Sequence, residues 1–290
     1  MTIEERNGNV ILYRVSDFDI EQIFECGQCF HFEKLGDKDY VTVAYGKALR
    51  ISQNGDEVIL HNTNITEYNV IWRKYFDMDT DYSQIKRWLV EKDSRLCEVI
   101  DKTSGIRILR QEFHEMVMSF IISQNKQIPH IKQIVSAISE RFGTEAGEIC
   151  GRKYYAFPTM EQLQNITEEH YRELKTGFRA PYLMSATEHM LSGMAESCFE
   201  GMTYDEAKGE LLKVKGIGEK VANCILLFGL GYRNAFPVDV WIKRIMEHVY
   251  FEKETSPDKI MTFAKERFGE YGGYAQQYLF HYARVERLSK

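Results

Sequence analysis

The sequence predicts an α+β protein in which an N-terminal antiparallel sheet domain is followed by a wholly helical region. Short runs of β-forming residues crowd the first 62 positions, whereas from about residue 63 apolar residues recur at spacings of three and four. Strands first and helices afterwards is the order of an α+β chain, not the strand–helix alternation of a parallel sheet.

Taken in order, "NVILYRV", "CFHF" and "YVTVAY" are short and partly alternating, as half-buried strands are. "ALRISQNGDEVIL" holds two strands around Asn54-Gly55, a pair suited to a tight hairpin. "TEYNVIWRKYF" and "YSQIKRWLVEKD" open the helical period. After "TSGIRIL" the predicted helices include "EFHEMVMSFIISQ", "IPHIKQIVSAISERFG", "APYLMSATEHML", "EKVANCILLFGL", "VDVWIKRIMEHVYF" and "YAQQYLFHYARVERL". A chain of 290 residues has room for about two domains, and the division is predicted at 1–105 and 106–290.

Composition narrows the class. Hydrophobic residues make up 44% and charged residues 28%, the balance of a soluble globular protein. The opening "MTIEERNGNV" has no apolar signal core, and "VANCILLFGLG" falls well short of a membrane span. Cysteines at 26, 29, 97, 150, 198 and 224 are expected to be reduced thiols of a cytoplasmic protein. Cys26-x-x-Cys29 has no second pair and precedes no helix signal, so it reads as incidental, neither redox pair nor half a zinc site. Net charge is −6, which argues against a general nucleic-acid coat protein. Yet residues 211–244 hold six basic residues against two acidic ones, leaving −10 on the rest, so a localised anion contact is expected.

That basic island is "LLKVKGIGEKVANCILLFGLGYRNAFPVDVWIKRIM". Gly216 and Gly218 form a tight turn between helices, and amides at the start of the second helix can receive a phosphate. Carbonyls of the same turn can hold a monovalent cation. A dinucleotide-binding glycine loop is excluded because the third glycine is missing and no strand precedes the turn. Lys220 opens the second helix and Asp239 caps the next, after "FPV". Alone, each is an ordinary helix lysine and an ordinary cap. Together they place an amine and a carboxylate at two neighbouring helix starts.

"VKGIGEKVANCILLFG" followed by "PVDV" resembles the helix-hairpin-helix, Gly-Pro-Asp motif of DNA base-excision glycosylases, in particular the 8-oxoguanine DNA glycosylase/AP lyase branch. "CGQCFHF", "RLCEVI…GIRILRQEFHEMVMSFIISQN", "GFRAPYL" and "YAQQYLF" fall in that family's order, so the likeness covers nearly the whole chain. It implies a TATA-binding-protein-like sheet domain, a hairpin at about 204–230 and a last helix packing back on the N-terminal domain. It also implies a monomer acting on double-stranded DNA containing 8-oxoguanine, with no membrane partner.

The roles that follow belong to the resemblance. Asp239 would stabilise the cationic sugar as the base departs, and Lys220 would capture C1′ as a Schiff base. Lys215 or Lys243 would help to activate that amine. Gly27 would offer a carbonyl to the N7–H of 8-oxoguanine, Cys224 and Phe280 would sandwich the base, and Gln276 would meet its Watson–Crick edge. Asn125 would fill the vacated stack, Phe178 would wedge it and Arg179 would contact the orphaned cytosine. His130 stands where a second cytosine-reading arginine falls in the family, and it lacks arginine's fork of donors, so strict cytosine selectivity is not expected. Trp241 occupies a position where relatives carry a phosphate-contacting histidine. Gly216, Gly218 and Lys215 would contact the DNA backbone. The carbonyls of Leu212, Val214 and Ile217 would hold the monovalent cation, and no other cofactor is required. The four-cysteine iron–sulfur cluster of endonuclease III-like enzymes is excluded because no cysteine follows Cys224. Alkyladenine glycosylases share the layout but lack the hairpin lysine, so Lys220 weighs against them.

Overall fold

A computed structural model describes residues 1–286. Six antiparallel strands form the sheet: β1 (Thr2–Arg6), β2 (Asn9–Tyr13), β3 (Phe32–Gly36), β4 (Asp39–Ala44), β5 (Lys47–Asn54) and β6 (Glu57–His61), in the spatial order β1-β2-β6-β5-β4-β3. Alternation fixes the buried face: Val10 and Leu12 of β2 point inward with Val58 and Leu60 of β6. Against that face lie α1 (Ile20–Glu25), through Ile20, Ile23 and Phe24, and an irregular helical turn, through Tyr68, Trp72 and Phe76. The β5–β6 hairpin pairs Asn54 with Glu57, so its two turn residues are Gly55 and Asp56, one place on from the pair that the sequence singled out.

The elements that build the rest are α2 (Tyr82–Lys92), α3 (Leu96–Thr103), α4 (Phe113–Ile122), α5 (Ile128–Phe142), α6 (Ala180–Leu191), α7 (Tyr204–Leu212), α8 (Glu219–Phe228), α9 (Val240–Met246), α10 (Pro257–Phe268) and α11 (Gly272–Val285). They enclose a second core. It contains Tyr82, Ile85, Leu89, Leu96, Val99 and Ile100, so α2 and α3 pack with the helices, while Leu109, farther along the chain, packs into the sheet core. The helical half is also not wholly helical: β7 (Glu145–Ile149) and β8 (Arg152–Tyr155) form a hairpin through Cys150 and Gly151, whose φ angles are 52° and 76°.

Among the contacts that join the halves, Gln277 Nε2 and Arg284 Nη1 of α11, the last described helix, donate to the carbonyls of Cys26 at 2.9 Å and Glu25 at 2.7 Å. Asp77, at the end of the sheet half, is buried and accepts from Tyr82 Oη at 2.9 Å and Arg110 Nε at 3.2 Å, with Arg233 Nη2 at 3.9 Å. Asp77→Asn keeps the shape but leaves guanidinium charge beneath the surface without its counter-charge. It is expected to lower unfolding free energy by about 3 kcal/mol, read as a fall in the urea midpoint at unchanged slope.

Candidate active site

Lys220 is the second residue of α8, and Cys224 and Phe228 follow it at intervals of four, so one helix face carries the amine, a thiol and a ring. The hairpin turn before it leaves the first turn of α8 without a side-chain cap. Lys220 is half-buried; its Nζ donates to Ser123 Oγ at 3.3 Å and lies 5.4 Å from the centre of the Phe120 ring. Asp239 is the N-cap of α9, and its carboxylate accepts from the Ile242 amide at 2.8 Å. Burial pushes the Asp239 carboxyl above the ordinary carboxylate range, an effect that the amide bonds of the helix start and the charge of Lys220 oppose without cancelling.

Both groups border one small cavity, together with Gly27, Phe120, Cys224, Phe228, Pro237, Gln276, Gln277 and Phe280. Gln276 is buried, donates through Nε2 to the Pro237 carbonyl at 3.3 Å and leaves Oε1 without a partner. A buried orphan acceptor costs about 1–3 kcal/mol, so it marks a place for a donor from outside. A larger open cleft of about 1820 Å³, lined by Tyr204, Lys208, Arg233, Phe236 and Lys265 among others, includes neither Lys220 nor Asp239. Among the described residues no donor reaches the Gly27 carbonyl.

The matches to known proteins fall on the same elements. Residues 10–117 match the model of the 8-oxoguanine DNA glycosylase N-terminal domain, and residues 118–270 that of the HhH-GPD superfamily of base excision DNA repair proteins. The chain belongs to the HhH-GPD superfamily. It is 31% identical to a probable N-glycosylase/DNA lyase of Methanothermobacter thermautotrophicus, over 73% of this chain and 74% of that one. It is 27% identical to N-glycosylase/DNA lyase OGG1 of Arabidopsis thaliana, over 89% and 75%. The structure of the Clostridium acetobutylicum 8-oxoguanine glycosylase/lyase, in complex with double-stranded DNA containing cytosine opposite 8-oxoG, superposes with a TM-score of 0.95 at 39% identity, covering 99% of both chains.

Within this HhH-GPD chain, all four residues expected around the base, Gly27, Cys224, Gln276 and Phe280, line the cavity with Lys220 and Asp239. Sequence reasoning gave Phe120, Phe228, Pro237 and Gln277 no place in the site. It also passed over Gln28, fully buried, which donates to the carbonyls of Ile23 and Arg107 and accepts from the Leu109 amide, thereby stitching the Gly27 loop in place.

Of the residues expected to meet DNA, Asn125, His130, Lys215 and Gly218 are exposed, as is the Phe178 ring at 53%. Asn125 adopts a left-handed φ of 50°. Arg179 departs from expectation: it is buried at 4% and its guanidinium donates to the Thr176 carbonyl at 3.1 Å and to that of Gln124, so no fork is offered outward. Trp241 is half-buried against the helical core, with Arg244 beside its ring. Lys243 pairs with Glu254 at 3.1 Å and Glu247 at 3.6 Å and is no bare charge beside Lys220. Cys26 and Cys29 are buried free thiols, and no metal-binding cluster of His, Cys, Asp or Glu occurs among the described residues.

The hairpin's glycines differ in purpose. Gly216 has φ of 94°, and a Cβ there would sit 2.4 Å from Tyr182 Cγ, so the fold itself requires it. Gly218 has an ordinary φ of −98° and nothing within 4 Å of a built Cβ. It leaves open space beside the first turn of α8. Gly218→Ala is therefore expected to fold with unchanged thermal stability while affinity for duplex DNA drops about tenfold, as a phosphate loses its approach to the α8 amides. Fluorescence anisotropy with a labelled duplex checks this.

Proposed function

We infer that this protein is a bifunctional DNA base-excision repair enzyme that removes 8-oxoguanine from duplex DNA and then cleaves the strand by β-elimination. The observation that carries the inference is the meeting of Lys220 and Asp239 at one cavity whose other walls offer an unpartnered Gln276 acceptor and a free Gly27 carbonyl. The DNA-bound neighbour, an 8-oxoguanine glycosylase/lyase alike over 99% of both chains, supports the substrate.

The target nucleotide must leave the stack to reach this cavity, at a cost of a few kcal/mol. Phe178 wedges the opened step and Asn125 fills the gap. Phe280 and Cys224 enclose the base, and Gln276 Oε1 accepts from the N–H donors of its Watson–Crick edge. The Gly27 carbonyl accepts from N7–H of 8-oxoguanine; normal guanine presents a lone pair there and is repelled. As the N-glycosidic bond breaks, its electron pair leaves with the base, which takes up a proton. Asp239, ionised in a site with little water, faces the positive charge that grows on the sugar. Lys220 gives up a proton to the departing base, its freed amine bonds to C1′, and a second amine proton passes to the ring oxygen as the sugar ring opens, leaving a protonated Schiff base. That iminium acidifies C2′–H, and proton removal expels the 3′ phosphate.

The hairpin holds the DNA backbone through α8 amides, Gly218 and Lys215, which makes no ion pair among the described residues. The carbonyls of Leu212 and Ile217 receive no donor from the described residues and Val214's accepts only from the Ile217 amide, so the three suit a monovalent cation that would steady the turn. With His130 in place of an arginine and Arg179 turned inward, selectivity for cytosine opposite the lesion is relaxed.

Borohydride added during incubation with duplex containing 8-oxoguanine opposite cytosine is expected to trap a protein–DNA adduct with the wild type and none with Lys220→Gln. Asp239→Asn should slow base excision about a hundredfold with duplex affinity unchanged; a parallel loss of affinity would refute the electrostatic role. Because the folded-state pKa of Asp239 is raised, its carboxylate is lost as pH falls through a value above the ordinary range. The excision rate should therefore decline on acidification earlier than an ordinary aspartate would dictate, and Asp239→Asn should lack that limb.

A further inference from the structure

Five residues from three segments close a ring beside the DNA-facing surface. Gln124, which precedes Asn125, donates from Nε2 to the Gly216 carbonyl at 3.0 Å and to the Ile121 carbonyl at 3.2 Å. Its own main-chain carbonyl accepts from Arg179 Nη2. The Arg179 guanidinium lies 4.2 Å from the centre of the Phe178 ring, and Phe178 meets Tyr182 edge-on with ring centres 6.2 Å apart. Tyr182 in turn fills the space that a side chain on Gly216 would need, which returns the ring to the hairpin.

Three of these contacts, Gln124 to Gly216, Arg179 to Gln124 and Tyr182 against Gly216, join one DNA-probing segment to another: the loop that leads into Asn125, the turn that carries Phe178, and the hairpin that grips phosphate. Gln124 is the node. Its side-chain amide spends both donors on main-chain carbonyls, one in the last turn of the preceding helix α4 and one in the hairpin, while its carbonyl is held from the Phe178 turn. Such a residue transmits position, because moving the Gly216 peptide moves the peptide that leads into Asn125. Arg179, buried and with both Nη groups on main-chain carbonyls, belongs to this arrangement more than to base reading.

We propose that Gln124 is a positioning residue that couples the seating of the DNA backbone on the hairpin to the insertion of Asn125 and Phe178 into the stack. The proposal rests on the repair function inferred above. Phosphate binding and chemistry would then survive its loss, whereas extrusion of a stacked base would not proceed at its normal rate.

Gln124→Met keeps the volume and removes the donors. Single-turnover excision of 8-oxoguanine from duplex should fall about tenfold, while duplex affinity changes by less than roughly twofold and cleavage at a preformed abasic site, where no base need be extruded, by less than about threefold. A 2-aminopurine beside the lesion should report unstacking slowed in the same ratio. Equal loss of all activities, or no loss in any, would overturn the proposal and leave Gln124 a structural stitch. Gln124→Glu is the second variant: its carboxylate opposes the Gly216 carbonyl, so excision relative to wild type should be lowest at neutral pH and recover as acid protonates the side chain into a donor. A flat ratio across pH would also count against it. A wild-type protein that neither excises the lesion nor yields a trapped adduct would instead overturn the repair function itself, which separates the two failures.

Discussion

The site depends on keeping one carboxylate charged in a place that excludes most of its water. Asp239 must remain ionised to meet a cationic sugar, yet a well-hydrated carboxylate would give that charge little (the interaction scales inversely with the local dielectric). The fold resolves the conflict with a helix start. The bond that Asp239 accepts from Ile242 begins α9 and holds the carboxylate in one orientation, and the positive end of the helix and the charge of Lys220 oppose the neutralising effect of burial. The same carboxylate begins the helix and, in the mechanism proposed above, faces the charge on the sugar, so it cannot drift without unwinding its own element.

The opposite wall of the cavity is made by residues remote in sequence. Gln276 and Phe280 come from the last described helix, and Gly27 from the loop after the first. What locks them together is polar: Gln277 bonds to the Cys26 carbonyl, and Gln28 binds main chain on both sides of the loop. Buried amide side chains that satisfy main-chain groups give a loop the rigidity of a strand, and discrimination by one carbonyl needs that rigidity. The return of α11 to the N-terminal half is thus a condition of base recognition as well as of stability.

Much of this was legible in the residues. The strand and helix order follows from period alone, and the amine and carboxylate stand out because they open two successive helices after a glycine turn. β1 escaped notice because "TIEER" is polar and mostly exposed, so it shows no apolar alternation. Yet Asn7-Gly8 after it is the same hairpin signal that marked residues 54–55, and both residues take positive φ. β7 and β8 were hidden likewise: "EAGEICGRKYY" carries few apolar residues, and only Cys150-Gly151 signals its turn. α1 is a short helix begun by the Asp19 cap, too brief for its period to show. The inward turn of Arg179 could not be read at all, since it depends on a carbonyl 55 residues away. Gln28, Gln124 and Gln277 share that fate. An amide side chain has no spacing rule, and its value lies wholly in which main-chain groups the fold brings to it.

An acidic protein that grips a polyanion poses a last question, and the charge pattern answers it. Of the island's cations, Lys213 pairs with Glu210, Lys243 with Glu247 and Glu254, and Arg233 with Asp77. What remains toward solvent is Lys215, Arg244 and the bare amides of α8. Amides carry only partial charge and act within one turn of the helix start, so they attract a phosphate at contact and add little field at long range. On the function proposed above, the grip comes from shape at Gly218 more than from net charge, and shape can be coupled mechanically to neighbouring segments in a way that a diffuse field cannot. An enzyme that must search many intact base pairs gains from this. Weak long-range attraction lets it leave, and a phosphate properly seated on the hairpin is what brings the probing residues into register with the stack.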